Sequence, residues 1–147
     1  MRVLIYGGRD FANHDKYERG SEEWEKKVQE HKAAMSYLNK LTIEVFPRTE
    51  EDEYGNYLPA ITVVSGCAKG ADQLGIDYAV VNWTQLEEYP ADWDKHGKAA
   101  GFIRNQQMLD SGIDLAIQFP GGNGTRDMRR RLDKAGVRVL EFVSEES

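Results

Sequence analysis

The segment with the clearest chemical pattern is Pro120–Thr125, which follows an apolar run and precedes a stretch typical of a helix. Its three glycines, Gly121, Gly122 and Gly124, carry no side chain that would keep an anion away from the backbone N–H groups. The helix that follows would add a favourable dipole, and Thr125 would add a hydroxyl group. We expect this turn to bind phosphate; a plain strand-to-helix turn is the alternative.

A second segment, 93–105, combines small residues with charged ones. Arg104 carries a permanent charge in a fork that suits phosphate, and Asn105 follows it directly. Trp93 offers a ring on which a base can stack. His96 is a candidate acid or base, because imidazole works near neutral pH, although a loop histidine is more often plain polar surface. Together the two segments indicate a nucleotide-type ligand without indicating a reaction.

Two further loops follow apolar runs. In the first, Gly7 and Gly8 permit a sharp turn and Arg9 is suited to paired hydrogen bonds with phosphate. A surface ion pair between Arg9 and Asp10 is the alternative for that side chain.

The other loop, Ser65–Asp72, does not have the Walker spacing, but its small residues, including Gly66, leave space for a ligand. Ser65 and Lys69 are candidates to contact phosphate or ribose hydroxyls. Asp72 is either a site residue or a helix-start residue that complements the dipole.

Composition excludes several classes of chemistry. The single cysteine, Cys67, cannot form an internal disulfide, and no histidine base can be paired with it from spacing, so a packed thiol is favoured. His14, His31 and His96 lack metal-ligand spacing. We therefore expect no metal and no cofactor.

The chain of 147 residues fits one domain, 1–147, and its net charge of −6 makes nucleic acid an unlikely partner. No apolar run approaches the roughly 20 residues that span a bilayer, and the N-terminus lacks a signal-peptide pattern. A soluble, cytoplasmic protein without a membrane partner is expected.

Hydrophobic patterning predicts alternating strands and helices. The predicted strands are Arg2–Tyr6, Ala60–Val64, Thr84–Glu88, Leu115–Phe119 and Val137–Leu140. The predicted helices are 21–41, 71–81, 98–110 and 125–135. This order predicts a three-layer α/β fold with a mostly parallel central sheet of about five strands, covered by helices on both faces. Because ligands bind outside the carboxyl ends of such strands, the four loops should share one pocket.

Two surface features leave alternatives open. In the first predicted helix, an apolar stripe fits either core packing or a seam between two copies of the chain. The stripe consists of Trp24, Val28, His31, Met35 and Leu38. The acidic, turn-rich segment 48–58 is expected to be a surface insertion, with a regulatory lid as the alternative.

The four loops together resemble those of the SLOG superfamily, specifically its small YspA-like branch. The resemblance rests on Gly7-Gly8-Arg9-Asp10-Phe11, Ser65–Asp72, Trp93–Gly97 with Ala99–Gly101 and Arg104-Asn105, and Phe119–Gly122 with Gly124-Thr125. It implies a Rossmann-like fold and binding of nucleotides or nucleotide-derived ligands.

A related group, the Lonely Guy phosphoribohydrolases, carries an arginine followed by lysine and then methionine, and also Pro-Gly-Gly-x-Gly-Thr-x-x-Glu. Arg104 and Met108 resemble the first motif, with Asn105 in place of lysine. Met128 stands where the final glutamate of the second motif belongs. Cleavage of an N-glycosidic bond needs a carboxylate that methionine cannot supply. Such activity should be lost unless Asp127 or Asp72 takes over that role.

The sequence therefore predicts a domain that senses or sequesters a nucleotide-derived small molecule. Its expected ligand contacts are Gly7, Gly8, Arg9, Ser65, Gly66, Lys69, Asp72, Trp93, Arg104, Asn105, Gly121, Gly122, Gly124 and Thr125. The alternative is a hydrolase of N-glycosidic bonds in nucleotides. Its candidate catalytic residues are Arg104, Asp72, His96 and Asp127. A DNA-processing role, which the superfamily also includes, is disfavoured by the acidic balance.

Overall fold

A computed structural model describes residues 1–143 as a parallel sheet of five strands covered by helices on both faces. The strands are β1 Arg2–Tyr6, β2 Thr62–Ser65, β3 Gln85–Glu88, β4 Leu115–Gln118 and β5 Arg138–Glu141, in the order β3-β2-β1-β4-β5. The helices are α1 Glu22–Glu44, α2 Ala71–Asn82, α3 Trp93–His96, α4 Ala100–Asp110 and α5 Asn123–Lys134. The predicted Rossmann-like fold is confirmed, and every strand pair is parallel.

The central strand β1 shows why two layers of helices form. Successive side chains of a strand point to opposite faces, and both faces of β1 are apolar. Val3 and Ile5 pack in the cluster that α1 and α2 cover. Leu4 and Tyr6 pack in the cluster that α4 and α5 cover. A strand buried on both faces anchors the centre of the sheet.

Element boundaries depart from the sequence prediction by two or three residues. Helix α1 begins after Ser21, whose hydroxyl accepts a hydrogen bond from the N–H of Trp24, and it continues to Glu44, three residues beyond the predicted end. The predicted helix 98–110 starts at Ala100, because Gly97–Ala99 form a 3₁₀ turn instead. Gly97, with a left-handed φ of 57°, separates this turn from the short helix α3.

The apolar stripe on α1 is buried only in part. Leu38 is fully buried, whereas Trp24, Val28 and His31 are half-buried. The buried face of α1 is instead formed by Ala34, Leu38 and Leu41, with Met35 and Tyr37 packed beside it. The C-terminal half of the helix thus belongs to the core, as the core interpretation expected.

The segment 48–58 forms an exposed, hairpin-like loop. The N–H of Thr49 donates to the carbonyl of Leu58 at 2.8 Å, and Arg48 pairs with Pro59 in an isolated antiparallel bridge. The loop directly precedes β2, so it lies at the amino edge of a parallel sheet. The carboxyl edge, where the glycine-rich loops meet, is on the opposite side. This position does not favour the lid alternative, and the role of the segment stays a prediction.

Within residues 1–143, none of the helices combines the length and the apolar character that crossing a bilayer requires.

Candidate functional site

A cavity of about 680 Å³ opens where the strand order reverses. β1 and β4 are neighbours in the sheet, and the chain continues outward from them in opposite directions. This arrangement leaves a crevice outside the carboxyl ends of the two strands. All four predicted loop segments contribute residues to its walls, and α1 contributes Lys27 and Glu30.

The floor of the cavity depends on close backbone contacts. The N–H of Gly8 donates to the carbonyl of Pro120 at 2.8 Å. A Cβ atom on Gly7 would lie 2.7 Å from Cβ of Ala71, and one on Gly121 would lie 2.0 Å from Oγ1 of Thr125. Both distances are far below van der Waals contact. Glycine is therefore required at Gly7 and Gly121 by packing between loops.

The first turn of α5 lies against the cavity. Gly122 is the N-cap residue, and no side chain in the described part of the chain caps this helix end. Gly122, Gly124 and Thr125 line the cavity, and a Cβ atom on Gly122 or Gly124 would meet only open space. These two glycines are not required by packing. They keep the helix N-terminus, with its unpaired N–H groups, open to the cavity.

Arg104 on α4 reaches across to the loop after β2. Its Nη1 donates to the carbonyl of Gly66, and its Nε donates to Oδ1 of Asn105 at 3.2 Å. A Cβ atom on Gly66 would lie 2.6 Å from that Nη1 and 2.9 Å from Oδ2 of Asp72. Gly66 is not among the residues that line the cavity. Because it has no side chain, the guanidinium of Arg104 and the carboxyl group of Asp72 can both lie close to it.

Asp72 supplies a buried carboxyl group to the same cavity. Burial raises its pKa to about 6, although the charge of Arg104 and the N–H groups of Ala68 and Gly7 act in the opposite direction. Burial also lowers the pKa of the Arg104 guanidinium. The cavity thus contains a carboxyl group that titrates close to neutral pH beside a cation that stays charged.

The mouth of the cavity is formed by Arg9 and Trp93. The guanidinium carbon of Arg9 lies 4.9 Å from the ring centroid of Trp93, within the range of a cation–π contact. Asp10 pairs with Lys27 at 2.8 Å. Hydrogen bonds lower the pKa of Asp10 to about 2, and the one from Lys27 has the largest effect. The predicted alternative of an Arg9–Asp10 ion pair is not found in the described residues.

Five predicted site residues do not line this cavity: Gly66, described above, and Ser65, Lys69, His96 and Asp127. Ser65 is fully buried: its hydroxyl donates to the carbonyl of Asp72 at 3.1 Å and accepts from the N–H of Cys67. Lys69 lines a separate, smaller cavity, and His96 lines neither of the two. Asp127 is turned into the interface between α4 and α5.

Asp127 accepts hydrogen bonds from Arg131 at 2.8 Å and Asn105 at 3.1 Å. Burial alone would raise the pKa of Asp127, but these hydrogen bonds lower it by more, so the pKa lies below the ordinary value of an aspartate. Met128, one residue further, lines the cavity instead. Asn105 also donates to the carbonyl of Gly124 at 3.2 Å, so it fixes the first turn of α5 against α4.

Burial disfavours the thiolate form of Cys67. Its pKa is raised to about 11, first by burial and then by Glu88, whose Oε2 lies 3.4 Å from Sγ. A nucleophilic thiolate needs the opposite shift. The geometry fits the packed thiol expected from the sequence.

Sequence reasoning missed several residues that line the cavity, among them Lys27, Glu30, Lys98 and Phe102. Lys27 and Glu30 lie on α1, far from any glycine-rich loop in the sequence. No local pattern distinguishes them from other charged residues on an amphipathic helix.

These features define a Rossmann-like α/β protein with one large cavity at its topological switch point. Residues 1–96, from β1 through α3, match the family described as YAcAr: YspA, cpYpsA-related SLOG family. The chain belongs to this family, which confirms the predicted resemblance. It is also similar to the Gene 61 protein of Mycobacterium phage D29, with 38% identity over 92 residues, covering 56% of this chain and 71% of the phage protein. No solved structure matches it.

Proposed function

We propose that this protein binds a nucleotide or a nucleotide-derived small molecule in the cavity between β1 and β4. One observation carries the proposal: the open first turn of α5 and the guanidinium of Arg104 line the same cavity. Helix N-terminal amides and guanidinium groups both recognise phosphate. The volume of about 680 Å³ suits a small-molecule ligand.

Each wall has a role in this proposal. Gly121, Gly122, Gly124 and Thr125 hold the phosphate, and Arg104 contacts it from α4. The Trp93 ring, which is 46% exposed at the cavity mouth, offers a surface for a base. Membership of the SLOG family supports a nucleotide-related ligand. Sensing or sequestering this ligand is the proposed activity.

Two measurements test the proposal. Thermal denaturation is followed with a panel of ribonucleotides, and small molecules released on denaturing the purified protein are identified by mass spectrometry. A bound nucleotide should stabilise the fold by about 2.7 kcal/mol at a ligand concentration of about 100 times Kd. A protein that releases no small molecule and shows no shift across the panel would contradict the proposal.

A second candidate function, hydrolysis of an N-glycosidic bond, is favoured by the position of Asp72. A carboxyl group that is partly protonated near neutral pH is suited to general acid–base catalysis. Asp127 is bound in the helix interface and His96 is outside the cavity, so Asp72 is the remaining carboxyl or imidazole candidate from the sequence. The expected products are a free base and a sugar phosphate in which a water oxygen has replaced the base nitrogen at C1′.

Chromatography of free base after incubation with the nucleotide panel tests this second function. Asp72→Asn should abolish base release while nucleotide affinity is kept. If the wild type releases no base from any nucleotide that it binds, the protein is a binder alone. If Asp72→Asn releases base as fast as the wild type, Asp72 is not the catalytic residue.

A further inference from the structure

A second, smaller cavity adjoins the first one at its mouth. It has a volume of about 450 Å³, and Arg9, Asp10, Ala68 and Trp93 line both spaces. The contact between Arg9 and Trp93 therefore lies where the two cavities meet.

Tight loop packing places Lys69 at this second cavity. Gly70 has a left-handed φ of 77°, and a Cβ atom there would lie 2.5 Å from the carbonyl oxygens of both Gly8 and Arg9. The N–H of Ala71 donates to the carbonyl of Gly8 at 3.1 Å. The loop after β2 thus crosses directly over the loop after β1. Lys69 and Arg9 consequently line the same space.

The second cavity has a surplus of positive charge. Arg9, Lys16 and Lys69 line it, and Asp10 is the one carboxylate among its lining residues. Asp10 is already paired with Lys27 at 2.8 Å and Lys16 at 3.3 Å. Within residues 1–143, neither Arg9 nor Lys69 has a carboxylate oxygen within 4.0 Å. Two cations therefore remain for an external anion.

We propose that the second cavity takes a second phosphate group of the ligand, so that the natural ligand carries more than one phosphate. This inference rests on the proposed function, because an exposed pair of cations binds an isolated anion weakly in salt. Once the first phosphate is held at α5, the second is presented at high effective concentration and the pair contributes measurably. The chemistry fits a diphosphate chain as well as two phosphates at separate positions of a nucleoside.

Calorimetric titration separates these cases. The titrants are the ribonucleoside 5′-monophosphates, the matching 5′-diphosphates and the matching 3′,5′-bisphosphates. For the best-binding base, at least one doubly phosphorylated compound should bind about tenfold more tightly than the monophosphate, as one charged contact implies. Which of the two binds more tightly identifies a contiguous or a separate second phosphate.

Lys69→Ala should remove most of that tenfold gain, and it should change monophosphate affinity much less. Lys95→Ala is the matched control, because Lys95 is also an exposed lysine and lines neither cavity. The gain from the second phosphate should survive in this control within about twofold.

Two results would overturn the inference while leaving the proposed function intact. One is monophosphate binding with no gain from a second phosphate. The other is a Lys69→Ala variant that weakens all ligands equally. If the wild type binds none of these compounds, both the inference and the proposed function are wrong.

Discussion

Asn105 donates a hydrogen bond from its Nδ2 atom to Oδ2 of Asp127, 3.1 Å away. This contact joins α4 to α5 and fixes the direction of the Asp127 carboxylate. Neighbouring side chains on a helix point about 100° apart, so Met128 takes the position toward the cavity. Asp127, which directly precedes the position where the related motif has a glutamate, therefore has a structural role.

The first prediction concerns this structural role. Asp127→Ala should lower the free energy of unfolding by about 1–3 kcal/mol, because it removes the acceptor for Asn105 and Arg131 from a buried interface. Asp133→Ala is the control on the same helix, since Asp133 makes an exposed ion pair with Arg129 worth at most about 1 kcal/mol. Urea denaturation measures both. Equal losses in the two variants would contradict the assignment.

The second prediction concerns the cation in the cavity. Arg104→Ala should weaken binding of a phosphate-bearing ligand by about 1.5–3 kcal/mol, the usual worth of a charged hydrogen bond. Arg138→Ala removes the same charge at the start of β5, on the opposite edge of the sheet, and should leave affinity unchanged. Calorimetric titration compares the two. An Arg104→Ala protein with wild-type affinity would remove this residue from the site.

The third prediction separates glycines that serve packing from glycines that serve binding. Gly124→Ala adds a methyl group in open space, so stability should be kept or rise by up to about 1 kcal/mol from helix propensity. Ligand affinity should fall, because the methyl group stands between the helix N–H groups and the anion. Thermal denaturation and titration measure the two effects.

Gly121→Ala is the matched comparison. Its Cβ atom would lie 2.6 Å from the backbone nitrogen of Gly8, so the two loops must move apart and stability should fall by about 1–3 kcal/mol. If Gly124→Ala is destabilised as much as Gly121→Ala, the distinction between the two glycines fails. Unchanged affinity in Gly124→Ala would place the ligand elsewhere.

The fourth prediction concerns pH. The pKa of Asp72 is about 6 in the folded protein, above the value of 3.8 for an unperturbed aspartate. Between these two values the folded state binds more protons than the unfolded state, so stability falls as pH rises through that window. Asp72 contributes fully to the free energy of unfolding below about pH 4. Above about pH 6 this contribution is lost, and the loss is at most roughly 2–3 kcal/mol.

Asp72→Asn provides the test, because an amide does not titrate in this range. Urea denaturation of both proteins from pH 4 to 7.5 should show the wild type losing stability relative to the variant as pH rises. A constant difference across the series would show that Asp72 titrates at its ordinary value.

The order of elements was predictable mainly because the three inner strands, β1, β2 and β4, are buried, largely apolar or β-branched runs. The edge strands β3 and β5 have exposed ends and charged residues, so their patterns are weaker. Two runs can be recognised as strands from their own residues alone: those around Ile61–Val64 and Leu115–Phe119. Alternation of such runs with helices leaves few topologies other than a parallel sheet. The gathering of glycine-rich loops at one edge follows from that topology.

The roles of individual loop residues were not predictable in the same way. Ser65 and Lys69 occupy one short loop, yet the first is buried against Asp72 and the second faces a separate cavity. Their directions depend on how Gly70 packs on the loop after β1. The contribution of α1, through Lys27 and Glu30, depends on the angle at which that helix crosses the sheet.

By itself, the sequence determined a parallel α/β sheet and a glycine-rich turn that opens a helix, because local periodicity and glycine content are properties of contiguous residues. Only the tertiary structure decided that Asp72 faces the cavity and that Asp127 does not. It also decided that Lys69 joins Arg9 in a second space. A cavity is formed by residues far apart in the chain, and the burial and charge pairing of each side chain there depend on neighbours that no local pattern specifies.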